Sequence, residues 1–247
     1  MRAGRTTRAP RYGLARVLSK QGLCSRAEAA RWIVQGRVAV EGRVVRDPEY
    51  PIRVATARIE VDGHVLASAQ RRYLMLNKPR GLVTTARDER GRGTVYDCLS
   101  DSELPWLAPV GRLDKASEGL LLLTNDPTWA ARVTDPESGP DKTYHVQVDC
   151  VPEATALEAV RAGCIVDGEM LSAKSVVMLR SGGKTAWLEV VLDEGRNRQI
   201  RRLLSAVDIG VVRLVRVRIG SLELGALAKG AWRELAQEEV EALAPPA

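Results

Sequence analysis

The sequence predicts an α+β chain in two parts. A small helix–helix–hairpin domain is expected over residues 11–70, and a larger domain with a mainly antiparallel mixed sheet over 71–247. Three observations carry this reading. Apolar spacing changes from helical to alternating at Arg37. A polar linker runs from Ala67 to Arg72. Beyond Tyr73, extended runs outnumber helical ones, which favours α+β over a βαβ array.

Residues 1–10 carry Arg2, Arg5 and Arg8 with no acid, and are read as a disordered basic tail. Leu14, Val17 and Leu18 form the apolar stripe of a first helix that Gly22 stops. Ser25 and Glu28 read as a capping box opening a second helix, with Ala29, Ala30, Trp32 and Ile33 inward and Gly36 at its end. Val38, Val40, a Glu41-Gly42 turn and Val44-Val45 then read as one hairpin. Ile59, Val61, an Asp62-Gly63 turn and Val65-Leu66 read as another. Arg16, Lys20, Arg26, Arg31, Arg37 and Arg43 avoid the apolar positions and can share one basic surface.

In the second part, Tyr73 to Pro79 is a strand, and Leu104 to Leu113 leads into a loop bearing Asp114. Leu120 to Thr124 is a fully buried central strand ended by an Asn-Asp-Pro turn. Trp129–Val133 and Pro152–Ala162 read as helices, Thr143–Asp149 as a half-buried strand, and 172–179 and 186–192 as strands. A helix from Arg198 to Val207, capped by Asn197, precedes one long strand region from Val211 to Leu224.

Several function classes are excluded by composition. Cys24, Cys98, Cys150 and Cys164 are scattered with no paired spacing, so reduced thiols and a cytoplasmic address are expected. His64 and His145 are the only histidines, too few for a zinc site built on several of them. No apolar run approaches the roughly 18 to 20 residues of a membrane span. Lys plus Arg exceed Asp plus Glu by 37 − 31 = 6, and arginines cluster at 2–16, 71–92 and 196–218. Such clusters suit a polyanionic partner.

The most informative stretch is Val110 to Pro127, Val-Gly-Arg-Leu-Asp-Lys-Ala-Ser-Glu-Gly-Leu-Leu-Leu-Leu-Thr-Asn-Asp-Pro. It sets one carboxylate, Asp114, at the rim of an apolar strand, with Arg112 and Lys115 beside it to favour the charged form. Lys142-Thr-Tyr144-His-Val opens a strand with an aromatic. Glu194-Gly-Arg-Asn-Arg-Gln-Ile-Arg-Arg-Leu-Leu and Val211-Val-Arg-Leu-Val-Arg-Val-Arg-Ile-Gly hold more charge than a core tolerates.

The front part resembles the S-four-like RNA-binding module, on Leu14-Ala-Arg-Val-Leu, Gly22-Leu-Cys-Ser-Arg-Ala-Glu-Ala and Gly36-Arg-Val-Ala-Val-Glu-Gly. The whole of about residues 11–235 resembles the pseudouridine synthases of the branch that modifies ribosomal RNA. Gly111-Arg-Leu-Asp with Gly119-Leu-Leu-Leu-Leu-Thr-Asn-Asp carries that likeness, supported by Arg196-Asn-Arg-Gln-Ile-Arg-Arg-Leu and Leu76-Asn-Lys-Pro-Arg-Gly. Ser117 stands where the family usually has Thr, and Pro127 where it usually has Gly. The resemblance implies that Asp114 is the essential aspartate, Tyr144 the tyrosine that stacks on the uracil, Arg201 the basic partner of Asp114, and Leu214 an apolar pocket residue. It implies isomerisation of a uridine in ribosomal RNA, of the large subunit, by an expected monomer with no obligate protein partner. The reaction has no redox step or energy input, so no cofactor is expected, and the apolar runs are too short for a membrane span to be expected.

The chemistry suits these residue types. The base must leave the sugar, turn and rejoin through carbon, so an acid acts at the glycosidic centre and an aromatic face keeps the detached base. The uridine must first leave its stack. Arg112, Arg196, Arg198 and Arg202 are expected to bind substrate, and Arg16, Lys20, Arg26 and Arg37 to contact RNA phosphates. The rival readings are a non-catalytic rRNA-binding assembly factor and a hydrolase using Asp114 as base.

Overall fold

The computed structural model describes residues 12–52, 57–66, 70–85, 88–100 and 102–245. The expected basic tail lies outside them. The chain divides into two compact units, residues 1–72 with Glu103–Ala108, and Tyr73–Ser102 with Pro109–Ala247. Glu103–Ala108, which the sequence reading gave to the larger domain, is thus counted with the smaller unit.

The first unit runs β1 (Tyr12–Gly13), α1 (Leu14–Lys20), α2 (Arg26–Val34), β2 (Val38–Val40), β3 (Arg43–Val44), β4 (Pro51–Ile52), β5 (Ile59–Val61) and β6 (His64–Val65). Leu14, Val17 and Leu18 of α1 meet Ala29 and Ile33 of α2 in one buried cluster with Val38, Val40, Ile52 and Ile59. The strands pair in the order β3-β2-β5-β6. Both hairpin turns have positive φ at two successive residues, Glu41 and Gly42, then Asp62 and Gly63, as the right-handed twist of the flanking strands requires. Ser25 does cap α2, its Oγ accepting from the Glu28 N–H at 3.1 Å. The reciprocal half of the box is absent, because the Glu28 carboxylate pairs with Arg31 instead.

In the second unit, β7 (Tyr73–Lys78) is followed by a 3₁₀ turn, Val95–Leu99, and by β8 (Ala108–Val110). Then come β9 (Ser117–Thr124), α3 (Pro127–Val133), β10 (Lys142–Val148), α4 (Ala154–Ala162), β11 (Cys164–Val166), β12 (Glu169–Leu171), β13 (Ser175–Ser181), β14 (Ala186–Leu192), α5 (Gln199–Ser205), β15 (Val211–Ile219), β16 (Leu222–Glu223), β17 (Trp232–Glu234) and α6 (Gln237–Leu243). The main sheet follows β13-β14-β10-β15-β9-β7-β17. Neighbours along this path are antiparallel except β9 and β15, which run parallel. Every residue of β9 is buried, which explains its unbroken leucines: both faces of a central strand are covered. On one side Trp129 of α3 is buried and donates its indole N–H to Val240 O at 2.9 Å.

Three expectations are corrected. The helix placed at Arg198–Val207 spans only Gln199–Ser205, and its N-cap is Arg198 at φ +50° with no side-chain cap, not Asn197. The single strand expected over Val211–Leu224 is a hairpin, because Gly220 at φ +54° turns the chain between β15 and β16. The sequence reading also passed over α6 and over the β11–β12 hairpin and β17, whose strands of three residues are too short for periodicity to declare.

Candidate active site

A cleft of about 570 Å³ opens in the second unit, above the sheet face made by β9, β10 and β15. Pairing explains which side chains floor it. Tyr144 of β10 sits opposite Arg216 of β15, and Leu214 lies beside Ser117 of β9. A bulge in β15, two residues against one between Arg216 and Arg218, returns Ile219 to the same face beside Lys142. Tyr144 and Leu214 are nearly buried and give the floor its apolar character. Gly119 is obligatory here: at φ +99°, a Cβ would strike the carbonyl oxygen and amide nitrogen of Arg216 on the neighbouring strand.

Asp114 stands in the wall, in the turn between Gly111 and Ser117. That turn is held by its backbone. Thr84 Oγ1 donates to Leu113 O at 2.7 Å and accepts from Leu113 N–H at 3.3 Å. Gly81 N–H donates to Lys115 O at 2.8 Å. Beneath it the Lys78 ammonium, fully buried, donates to Pro79 O at 3.1 Å, Asp114 O at 3.3 Å and Ser117 O at 2.9 Å. Burial pushes this lysine down to about 8, while the charges of Glu118 and Asp114 pull it the other way. At this depth Lys78 shapes the turn and is out of reach of RNA. Thr84 was missed, and nothing in a lone threonine would have marked it.

The opposite wall is the Glu194–Ile200 segment. The Gln199 side chain, buried, ties it together by donating to Glu194 Oε1 and Ser172 O at 2.8 and 2.9 Å and accepting from Arg196 N–H at 3.1 Å. Arg112, Arg196 and Arg198 are exposed at the mouth. Arg196 shares its charge with Glu194, Nε to Oε2 2.8 Å.

The expected Asp114–Arg201 pair is not formed. Arg201 donates to Val211 O at 3.1 Å and Ala116 O at 3.4 Å, turning its guanidinium to the backbone. Among the described residues the cation within ion-pair distance of Asp114 is Arg198, Nη1 to Oδ2 3.9 Å. Burial lowers the Arg201 pKa, Arg198 and Arg80 lower it further, and Asp114 opposes them, so the two groups still sense each other. Arg202 is also displaced from its expected place: it is engaged by Glu169, Asp167 and Val166 O, which hold the β11–β12 hairpin to α5. Lys115 is exposed and makes no ion pair with Asp114.

In the first unit, Arg16, Lys20, Arg26 and Arg37 are all exposed. Arg26 pairs with Glu49, and Arg37 with Asp62, at 2.7 and 2.6 Å. Arg16 and Lys20 lie over the Tyr12 ring instead, 5.1 and 5.2 Å from its centroid. Among the described residues no group of three His, Cys, Asp or Glu side chains could hold a metal ion.

The family model for RNA pseudouridylate synthase matches residues 72–206, and that for the S4 domain residues 13–56. An uncharacterized RNA pseudouridine synthase of Mycobacterium bovis is 40% identical, over 92% of this chain and 91% of its own. The ribosomal large subunit pseudouridine synthase B of Bacillus subtilis is 35% identical over 93% and 94%. A crystal structure of a pseudouridylate synthase superposes with a TM-score of 0.64 at 29% identity, covering 94% of this chain and 99% of the other. With Asp114 in the matched region, this chain belongs to the RNA pseudouridylate synthase family.

Proposed function

We propose that this RNA pseudouridine synthase isomerises a uridine of ribosomal RNA in the large subunit, as a cytoplasmic monomer and without a cofactor. The observation that carries the reading is the Asp114 carboxylate, half-exposed, in the wall of a cleft floored by Tyr144 and Leu214. The name of the Bacillus subtilis relative supports the large-subunit target.

A base flipped out of its stack lies on the Tyr144 ring and against Leu214, which places its glycosidic carbon toward Asp114. The Asp114 carboxylate meets the positive charge that develops as the C1′–N1 bond opens. Arg198 offers charge to the carboxylate or to a nearby phosphate. Arg201 holds the chain at Ala116, two residues beyond Asp114, and so acts through position. Arg112 and Arg196 meet the backbone at the mouth, and the S4 domain adds Arg16, Lys20, Arg26 and Arg37. The isomerisation has no net oxidation or reduction, so its chemistry calls for no redox cofactor.

The test is Asp114→Asn on unmodified large-subunit rRNA transcript. Pseudouridine formation should vanish while RNA affinity stays within about twofold of wild type. A variant keeping a tenth of the wild-type turnover would remove Asp114 from the chemistry.

A further inference from the structure

The floor of the cleft holds a cation that nothing so far employs. Arg216 is buried, its Nε donating to Leu120 O at 2.7 Å. Its Nη2 is buried too and has no hydrogen-bond partner among the described residues. No carboxylate pairs with it within 4.0 Å among them, unlike the neighbouring Arg213, which holds Glu118. Lys142, which lines the same cleft, has its pKa lowered by burial and then by the like charge of Arg216. Two cations side by side in a cleft, one with an idle N–H, leave an unmet demand for a negative oxygen. The rim arginines are assigned to RNA phosphates in the function proposed above. Arg216 sits deeper, directly opposite Tyr144, where a base resting on that ring presents its edge.

We infer that Arg216 hydrogen-bonds a carbonyl oxygen of the target uracil and holds the negative charge the base carries while it is detached. This rests on the function proposed above. When the C1′–N1 bond breaks, its electron pair leaves with N1 and spreads over the ring nitrogen and the O2 and O4 oxygens. The pair returns to C1′ through C5, which then gives up its proton while N1 takes one, so the composition is unchanged. Between those events the base is an anion free to turn, and a fixed guanidinium both lowers its energy and keeps it in the cleft. Gly119 permits the close strand approach that sets Arg216 at this depth.

The experiment compares wild type, Arg216→Gln and Arg216→Lys in single turnover, on rRNA transcripts made with uridine, 2-thiouridine or 4-thiouridine. Isomerised nucleoside is counted after nuclease digestion. Arg216→Gln should slow the chemical step by roughly 10- to 1000-fold with RNA affinity and its salt dependence unchanged, and Arg216→Lys should recover part of the rate. Sulfur accepts hydrogen bonds poorly, so one thio-substitution should slow the wild type but have little further effect on Arg216→Gln; which one identifies the oxygen. A thio effect equally large in both proteins, or a variant with a shallower salt dependence of binding, would overturn the inference. Failure of the wild type to modify any transcript would sink the proposed function and this inference together. Activity lost in Arg216→Gln and Arg216→Lys alike with lowered melting temperature would leave a structural role and count against it.

Discussion

Asp114 and Glu118 stand four residues apart at the entry to the same strand, and the fold treats them in opposite ways. Glu118 faces away from the cleft, its side chain 4% exposed, clasped by Arg213 at 2.8 Å and Lys229 at 2.6 Å. Asp114 faces the cleft, its side chain 34% exposed, with its cation at 3.9 Å. What is gripped at Asp114 is the chain: Lys78, Thr84 and Gly81 hold the carbonyls and amides of the turn and leave the carboxylate free. Glu118 is fixed through its charge, and Asp114 through its backbone. Burial raises the pKa of Glu118, but hydrogen bonds from Arg213 and Lys229 outweigh it and hold the group below its usual value.

The sharpest way to break this contrast is to neutralise each acid. Asp114→Asn should cut the single-turnover rate at least roughly a thousandfold, with the melting temperature nearly unchanged. Glu118→Gln should do the reverse, keeping most of the rate and losing about 1–3 kcal/mol of stability by denaturant unfolding, since Arg213 and Lys229 lose a common partner. Similar losses of rate in both variants would erase the distinction.

Acid titration sharpens it next. The folded pKa of Glu118 lies below the ordinary 4.5, so its contribution is fully present above 4.5 and is lost as pH falls through the lower folded value. The stability gap between wild type and Glu118→Gln should therefore close below pH 4.5.

Lys78 gives a smaller effect, on the alkaline side. Its folded pKa of about 8 is below the ordinary 10.5, so between them the unfolded chain binds more protons. Stability relative to Lys78→Met should then rise with pH across that window. Turnover should fall over the same window, because a neutral amine has two N–H groups for three carbonyls and the Asp114 turn loosens. Rate and stability moving together above pH 8 would contradict this account.

The smallest expected change is at the mouth. Arg196→Ala should weaken rRNA binding modestly and lower the salt-dependence slope by about 1, read by filter binding across salt concentrations. Because Glu194 already occupies part of its charge, Arg198→Ala should cost more affinity than Arg196→Ala.

Much of the molecule was legible in the chain. The Leu120–Leu123 run announced a strand covered on both faces, and the Asp62-Gly63 pair announced a hairpin, because both signals are local and depend on backbone sterics or on burial pattern. The Gly-Arg-Leu-Asp motif pointed to Asp114, and the cleft lies around it. Partners were not legible. Arg201 and Arg198 are three residues apart in one basic run, and the family resemblance favoured the first as the mate of Asp114; the side chain that comes within ion-pair distance is that of Arg198, whose backbone is left-handed. Arg202 looked like another phosphate ligand until the β11–β12 hairpin, invisible to periodicity, supplied its acids.

The order of amino acids by itself determined the two-part α+β organisation, the buried leucine strand and the acid at its rim, since each follows from spacing over a few neighbouring positions. Only the tertiary structure decided which cations meet which acids, that Lys78 sits beneath the Asp114 turn, and that Arg216 lines the cleft with an Nη2 that has no partner among the described residues. Those depend on strand register, which brings together groups 36 residues apart at Lys78 and Asp114 and 96 apart at Arg216 and Leu120, and a one-residue slip would turn such side chains to the other face.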